Sequence, residues 1–521
     1  MPALIIHSHF YQPPRENPWT GIVEAEPSAA PFHDWNERIH SECYQPNAFA
    51  RIDDSETGSE RVVNNYTKIS FNFGPTLLTW LERNHADTYA RIIDADHEST
   101  LKHGGHGNAI AQAYGHAILT LCNERDLRTQ IRRGIADFRH RFGRRPEALW
   151  LPETACNDVV MSALIDEGLR FVILAPHQAA RVRKCVRTRS GSDGVDLENS
   201  EWRDVNENSI DTSFAYRYLH CDQSGRAIAV FFYDGATSRA IAFESLLKSS
   251  RNLVDRFAQI ANGREMVNIA TDGETYGHHF KFGDICLAHA LEVEAPARGV
   301  QITNYGEYLD KHPPAFEVEI NNGPDGEGTS WGCPHGIGRW ARDCGCHTGG
   351  EPGWNQAWRT PLRRALDFLR DVNVRNFEGT RGTLFTDPWK ARDDSIALVL
   401  DQYHSREEFL RDHAGRWLTA DEQWRALAYL ELQRMLLLMY ASCGWFFNDI
   451  SGIETIQVLK YAGRAIDLME QLGLPGVRER FLEILAEASS NRAGMGTGAD
   501  IYQQLVEPLR PLTEPFGVVS G

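Results

Sequence analysis

The sequence predicts an α/β fold, a parallel sheet or barrel followed by a mainly helical domain. Three observations carry that expectation. Short apolar runs of strand length alternate with helical patterns through the first 315 or so residues. Polar, chemistry-bearing residues follow directly on the apolar runs, where α/β enzymes build their sites. Beyond residue 361 the apolar spacing is three and four throughout, with breaks at Gly and Pro. A chain of 521 residues with 42% hydrophobic and 24% charged residues has the length and balance for two or three globular domains.

Taken in order, Ala3 to Ile6 read as a buried strand, and His7, Ser8 and His9 follow at once. In an extended segment a His-x-His pair puts both imidazoles on one side, which suits a metal or a sugar hydroxyl. Gln12, two prolines and Trp19 then force a non-helical path. Residues 34 to 65 are rich in Asp, Glu, Asn and Arg and predict a long surface excursion. Phe71 to Arg83 reads as a strand end, a Gly-Pro turn and a helix. His103 to Asn108 is a Gly-rich turn lacking the Lys-Ser/Thr of a phosphate-binding loop, and the apolar segment after it contains His116. Leu127 to Phe142 is a basic amphipathic helix ended by Gly143 and Pro146.

Ala148 to Leu151 forms the next short strand, with Trp150 in it and Glu153 just beyond it. Helix resumes at Val159, Phe171 to Ala175 is a strand, and the polar residues 189 to 212 predict a loop. Ala227 to Tyr233 is a strand ending in Asp234-Gly235. Met266 to Ala270 is another, interrupted only by Asn268. It runs into Thr271, Asp272, Gly273, Glu274, Tyr276, Gly277, His278 and His279. Two carboxylates, two imidazoles and two glycines at the mouth of one apolar strand make this the densest chemical motif of the chain.

The segment 316–360 separates the α/β part, 1–315, from the helical part, 361–521. It is rich in Gly and Trp, and it holds Cys333, His335, Cys344, Cys346 and His347. Thiolates and imidazoles at such spacing can bind zinc, but the C-x-x-C pairs of a zinc ribbon are missing. The expectation is a buried-cysteine loop near the active site whose indoles, Trp331 among them, line or cover a pocket, because sugar rings offer apolar C–H faces to aromatic rings. Within the helical part the stretch Ser442 to Asp449 breaks the periodicity and places Trp445 among other aromatics.

A net charge of -17 argues against nucleic acid as a partner. Ten cysteines at irregular spacing do not make a disulfide scaffold. No signal peptide or membrane-length apolar run is visible, so a soluble, cytoplasmic protein without a membrane partner is expected.

Glu153 and Asp272 each follow a predicted strand of one sheet. If those strands are parallel, both acids reach the same face, and two facing carboxyls support cleavage of a glycosidic bond. Alternatives remain open. His7, His9 and Asp272 could hold a metal in a deacetylase-like or mannosidase-like hydrolase with Glu153 as base, or the fold could bind carbohydrate without turnover.

His7-Ser8-His9-Phe10-Tyr11-Gln12-Pro13, the segment ending in His116, Trp150-Leu151-Pro152-Glu153 and Asp272-Gly273-Glu274-x-x-Gly277 resemble, in order, the first four signature regions of glycoside hydrolase family 57. The C-terminal half resembles the DUF3536 domain found with some members. The resemblance implies an incomplete (β/α)7 barrel followed by helices, acting on α-glucans with retention. It implies Glu153 as nucleophile, Asp272 as acid/base, and His7 and His9 on sugar hydroxyls. With them Gln12, His116, Trp150, Glu274, His278, Asp234, Trp331 and Trp445 are expected at the substrate. Neither a cofactor nor a metal is expected, and the partner is a carbohydrate substrate.

Overall fold

The computed structural model describes residues 2–53, 59–189, 195–199, 201–403 and 405–510. The chain forms two compact units that interleave along the sequence. The first comprises Met1–Gln12, Ala25–Gln112 and Arg141–Trp331; the second comprises Pro13–Glu24, Ala113–His140 and Gly332–Gly521.

Seven strands organise the first unit: β1 (Ala3–Phe10), β2 (Ser70–Phe73), β3 (Ala111–Gln112), β4 (Leu149–Trp150), β5 (Phe171–Leu174), β6 (Ala227–Phe232) and β7 (Met266–Asp272). β1 is buried along nearly its whole length. That fits a continuous apolar run covered on both faces, the usual state of a parallel sheet. It pairs in parallel with β7, with β2 and with the short strand Gln301–Ile302. β3 pairs in parallel with β4, and β5 with β6. Single parallel bridges join Phe71 to Ala109 and Ala148 to Phe171. Beyond β6, the Asp234 N–H donates to the Asn268 carbonyl of β7 at 2.7 Å.

Among the described residues the ladders divide into a four-stranded sheet, a seven-stranded mixed sheet and two two-stranded pairs. β7 and β1 are matched residue for residue, with His9 opposite Asp272. Ile5, Phe171, Ile173, Phe231 and Met266 pack with Trp150 and Tyr305 into one buried cluster. Burying side chains of this size contributes about 1.5–3 kcal/mol each before entropy is counted.

Two stretches differ from their sequence reading. The polar region 189–212 holds the strands Val195–Asn199 and Arg203–Asp204, both antiparallel to Ala179–Arg189; residues 190–194 and 200 lie outside the described residues. That ladder continues to Phe316–Ile320, where Arg181 and Arg183 pair with Glu319 and Glu317 across the strands. Alternating arginines are thus answered by carboxylates across the strands, and their polarity hid the strand. Residues 34–65, expected at the surface, instead send Asn36, His40, Cys43, Tyr44 and Asn47 into the interior; within that stretch, residues 54–58 lie outside the described residues.

The second unit is helical, as its periodicity predicts. Its principal helices are α1 (Arg359–Glu378), α2 (Ala420–Leu438), α3 (Ile453–Gln471) and α4 (Val477–Leu485). α2 starts in a capping box, in which the Glu422 carboxylate accepts from the Thr419 N–H at 2.9 Å. Segments from the N-terminal half complete this unit. The Trp19 indole donates to Asp467 at 2.8 Å, and the buried Arg392 pairs with Asp126 at 2.6 Å. Among the described residues no helix is long and apolar enough to cross a membrane.

Candidate active site

Glu153 sits in the turn after β4, and its backbone is in the left-handed region, with φ at 58°. Thr154 follows at 51°. Such conformations cost non-glycine residues of order 1–3 kcal/mol each and persist only where the surroundings fix them. Here the strand-like segment at 329–331 fixes them. The Trp331 N–H lies 3.0 Å from both the Glu153 carbonyl and the Thr154 hydroxyl, and Gln178 Nε2 donates to the Thr154 carbonyl at 2.8 Å. The Trp331 indole N–H then donates to Glu153 Oε2 at 2.9 Å and aims the carboxylate. Trp331, expected at the substrate, is therefore also the orienting partner of Glu153.

Asp272 ends β7. Its side chain is open to water yet recessed among protein atoms, and that partial desolvation raises its pKa to about 6. The phenol of Tyr233, the last residue before Asp234, is pushed above its ordinary range by burial and then by the Asp272 charge. Tyr233 also meets Trp331 edge-on, with ring centroids 6.4 Å apart. His9, opposite Asp272 in the ladder, meets the same indole at 6.4 Å. Glu153, Asp272, His9, Tyr233 and Trp331 thus belong to one neighbourhood at the strand ends.

His7 and His9 both reach Asn72 of β2, as side chains two apart on a strand should. The shortest contacts define one consistent network. Ser70 Oγ donates to His7 Nδ1 at 3.1 Å, and His7 Nε2 donates to Asn72 Oδ1 at 3.1 Å. Asn72 Nδ2 then donates to His9 Nδ1 at 2.9 Å and to Gln112 Oε1 at 2.8 Å. His9 therefore carries its proton on Nε2. Burial lowers both imidazoles to a pKa of about 3, so both are neutral near pH 7. Both ring nitrogens of His7 are engaged, and His7, His9 and Asp272 are not among the groups of described residues whose ligand atoms converge for a metal. The metal-hydrolase alternative loses its ligand set.

The residues expected at the substrate already have partners within the protein, and among them His7, Trp150 and Glu274 are buried. His7 and Trp150 are fully buried and stack on one another at 4.7 Å, so they form the floor under His9 rather than a sugar contact. Glu274 is buried as well. Its Oε1 accepts from the Tyr44 hydroxyl at 2.7 Å and the Tyr11 N–H at 3.0 Å, while burial, then the Asp272 charge, pushes its pKa up to about 8. It positions the Asp272 turn. Asp234 caps the helix Gly235–Phe243, accepting from the Thr237 N–H at 2.9 Å. His278 pairs with Glu42, and Gln12 donates to the Tyr11 carbonyl at 3.1 Å.

His116 and Trp445 belong to the second unit. The buried His116 is 2.7 Å from the Ser442 hydroxyl through Nδ1. Trp445 is wholly buried, with its indole N–H on the Arg359 carbonyl and Arg363 over its ring. Trp340 and Trp358, expected to line a pocket, are core residues of that unit.

Sequence reasoning missed Tyr233, Asn72 and Tyr44. Tyr233 had a signal, as the terminal residue of an apolar run directly before an acid. Asn72 had a weaker one, a lone amide between Phe71 and Phe73. Tyr44 had none.

Two carboxyls thus lie at strand ends of the first unit, Glu153 with the Trp331 indole on its carboxylate and Asp272 with a raised pKa. The chain belongs to glycosyl hydrolase family 57, whose family model matches residues 4–321. A second model, the domain of unknown function DUF3536, matches residues 354–516. Among curated proteins none matches the chain.

Three solved structures share the fold. The exo-type maltose-forming amylase from Pyrococcus sp. ST04 is 16% identical, with a TM-score of 0.67 over 93% of this chain and 82% of that one. The branching enzyme from Pyrococcus horikoshii is 14% identical, with a TM-score of 0.53 over 98% and 96%. The branching enzyme from Thermococcus kodakaraensis is 15% identical, with a TM-score of 0.51 over 99% and 97%.

Proposed function

We propose that this protein cleaves or transfers α-linked glucans or α-glucosides with retention of configuration, with Glu153 as nucleophile and Asp272 as acid/base. We read β1 to β7 as the seven parallel strands of an incomplete (β/α)7 barrel. The bridges between β2 and β3 and between β4 and β5, and the Asp234–Asn268 hydrogen bond, support that reading. An amylase and two branching enzymes among the similar structures favour α-linked glucans as substrate.

In the first step Glu153 attacks the anomeric carbon while Asp272 gives its proton to the departing oxygen. The recess that raises the Asp272 pKa keeps a useful fraction protonated near pH 6. In the second step the Asp272 carboxylate takes a proton from water or a sugar hydroxyl, which attacks the glycosyl-enzyme. Neutral His9, with a proton on Nε2, offers a donor to a sugar hydroxyl but no charge. The observation that carries the assignment is the left-handed Glu153, its carboxylate held by Trp331.

The test is covalent. Incubation with an activated 2-deoxy-2-fluoroglucoside should label the peptide containing Glu153, and NMR should show the retained anomer forming first. Glu153→Gln should lower turnover at least about 10³-fold while glucan binding persists. A label on another residue, or an inverted first product, would remove Glu153 from this role.

A further inference from the structure

Three thiols and an imidazole converge at the start of the last segment of the second unit. Cys333 Sγ lies 3.8 Å from Cys344 Sγ and 3.6 Å from Cys346 Sγ, and Cys346 Sγ lies 3.4 Å from His335 Nδ1. All four ligand atoms fall within 4.8 Å of one another. A zinc ion with Zn–S near 2.3 Å and Zn–N near 2.05 Å, bound tetrahedrally, requires S···S edges of about 3.8 Å and S···N edges of about 3.6 Å. The three measured edges agree with that tetrahedron within about 0.2 Å. They are far too long for a disulfide, whose sulfurs sit about 2.05 Å apart.

The local sequence is shaped for convergence. In an extended Cys-x-Cys the two side chains share a face but stand about 6.5–7 Å apart, too far for one ion to bind both without a turn between them. Gly345 turns the chain at φ +78°, a left-handed value, so both sulfurs reach one point. Gly338 has no room for a side chain, since a Cβ there would sit 2.9 Å from Cys344 Cβ.

Charge gives an independent reason. Arg359 is wholly buried and Arg339 nearly so. Arg359 donates to the carbonyls of Cys346 and Phe447 at 2.9 and 3.2 Å, and Arg339 to that of Phe446 at 2.9 Å. In both the Nε has no hydrogen-bond partner. Among the described residues neither arginine makes an ion pair; carbonyls and the rings of Phe446 and Trp358 are what answer them, and buried guanidinium groups so placed are costly. Three thiolates, one neutral imidazole and Zn²⁺ sum to one negative charge, which offsets that cost.

We propose that Cys333, His335, Cys344 and Cys346 form a structural zinc site. Soft thiolates with one imidazole select zinc over the hard cations. Binding replaces three S–H bonds by Zn–S bonds and releases three protons to solvent, with no redox change. His335 ligates through Nδ1 and keeps its proton on Nε2. His347 stands outside the set, its Nδ1 accepting from the Gly349 N–H at 3.3 Å. From Cys333 to Trp358 the only regular element is the short turn Gly338–Trp340, so the ion supplies a cross-link that secondary structure does not.

Elemental analysis of the full chain, expressed with zinc and dialysed against a weak chelator, should find about one zinc per chain. Replacement by Co²⁺ should give intense tetrahedral d–d bands and thiolate-to-metal charge transfer. Cys344→Ser/Cys346→Ser should lose the metal and the cobalt spectrum, and removing zinc from the wild type should lower its Tm and open 333–358 to protease. The cobalt spectrum needs only wild-type protein, so a variant that fails to fold does not blunt the test. Less than about one zinc per ten chains with no cobalt spectrum would overturn the proposal. So would full zinc in a folded double variant, or a native disulfide among these cysteines.

Discussion

At the scale of single residues, the site separates two carboxyls by environment. Glu153 takes a hydrogen bond from an indole, whereas Asp272 is raised to about 6 by its recess. A raised carboxyl pKa means the protonated, proton-donating form persists to higher pH. For substrates with poor leaving groups, kcat/KM should therefore fall as pH rises through about 6, by about tenfold per unit at the limit. Asp272→Asn should lose roughly 10²–10⁴-fold on such substrates, much less on activated aryl glycosides, and should flatten the alkaline limb. A limb that survives unchanged in the variant would assign the proton to another group.

At the scale of elements, the turn after β7 shows how a strand end becomes a rigid platform. Gly273 leaves no space, because a Cβ there would lie 2.2–2.5 Å from the ring of Phe10 on β1. Gly277, at φ +150°, faces the Glu42 carbonyl at a similarly forbidden distance. Cys43 and Asn47 hold the carbonyls of this turn from the 34–65 stretch. Gly273→Ala should shift Phe10 and Asp272 together, lowering stability by about 1–3 kcal/mol in denaturant melts and reducing kcat more than it raises KM; unchanged stability would show the contact to be soft. The strands and the residues at their ends were legible in sequence because apolar runs and abrupt polarity changes are local signals. The partners that fix those residues were not. Tyr44 reaches Glu274 and Asn72 reaches both histidines only through long-range pairing; nothing near Tyr44 marks it, and the lone amide between Phe71 and Phe73 does not say what it will meet. The same limit explains Trp150 and Trp445. An aromatic beside a motif reads as a ligand contact, although a large side chain gains more by complete burial.

At the scale of the whole molecule, composition and periodicity pointed to an α/β part and a helical part, but not to how the chain apportions them. Segments 13–24 and 113–140 lie far upstream of Gly332, yet they count with the helical unit. They are tied into it by Trp19 on Asp467, by Arg392 on Asp126 and by His116 on Ser442. No cut in the gene can therefore liberate either half. A fragment ending at residue 331 would carry two orphaned stretches with apolar surface and an unanswered Asp126. We expect it to be recovered as aggregate, checked by sedimentation of the expressed fragment; a soluble, cooperatively melting fragment would contradict this. The helical unit is thus spread over three separate stretches of the gene, so trimming the chain from either end removes part of it and leaves the rest behind.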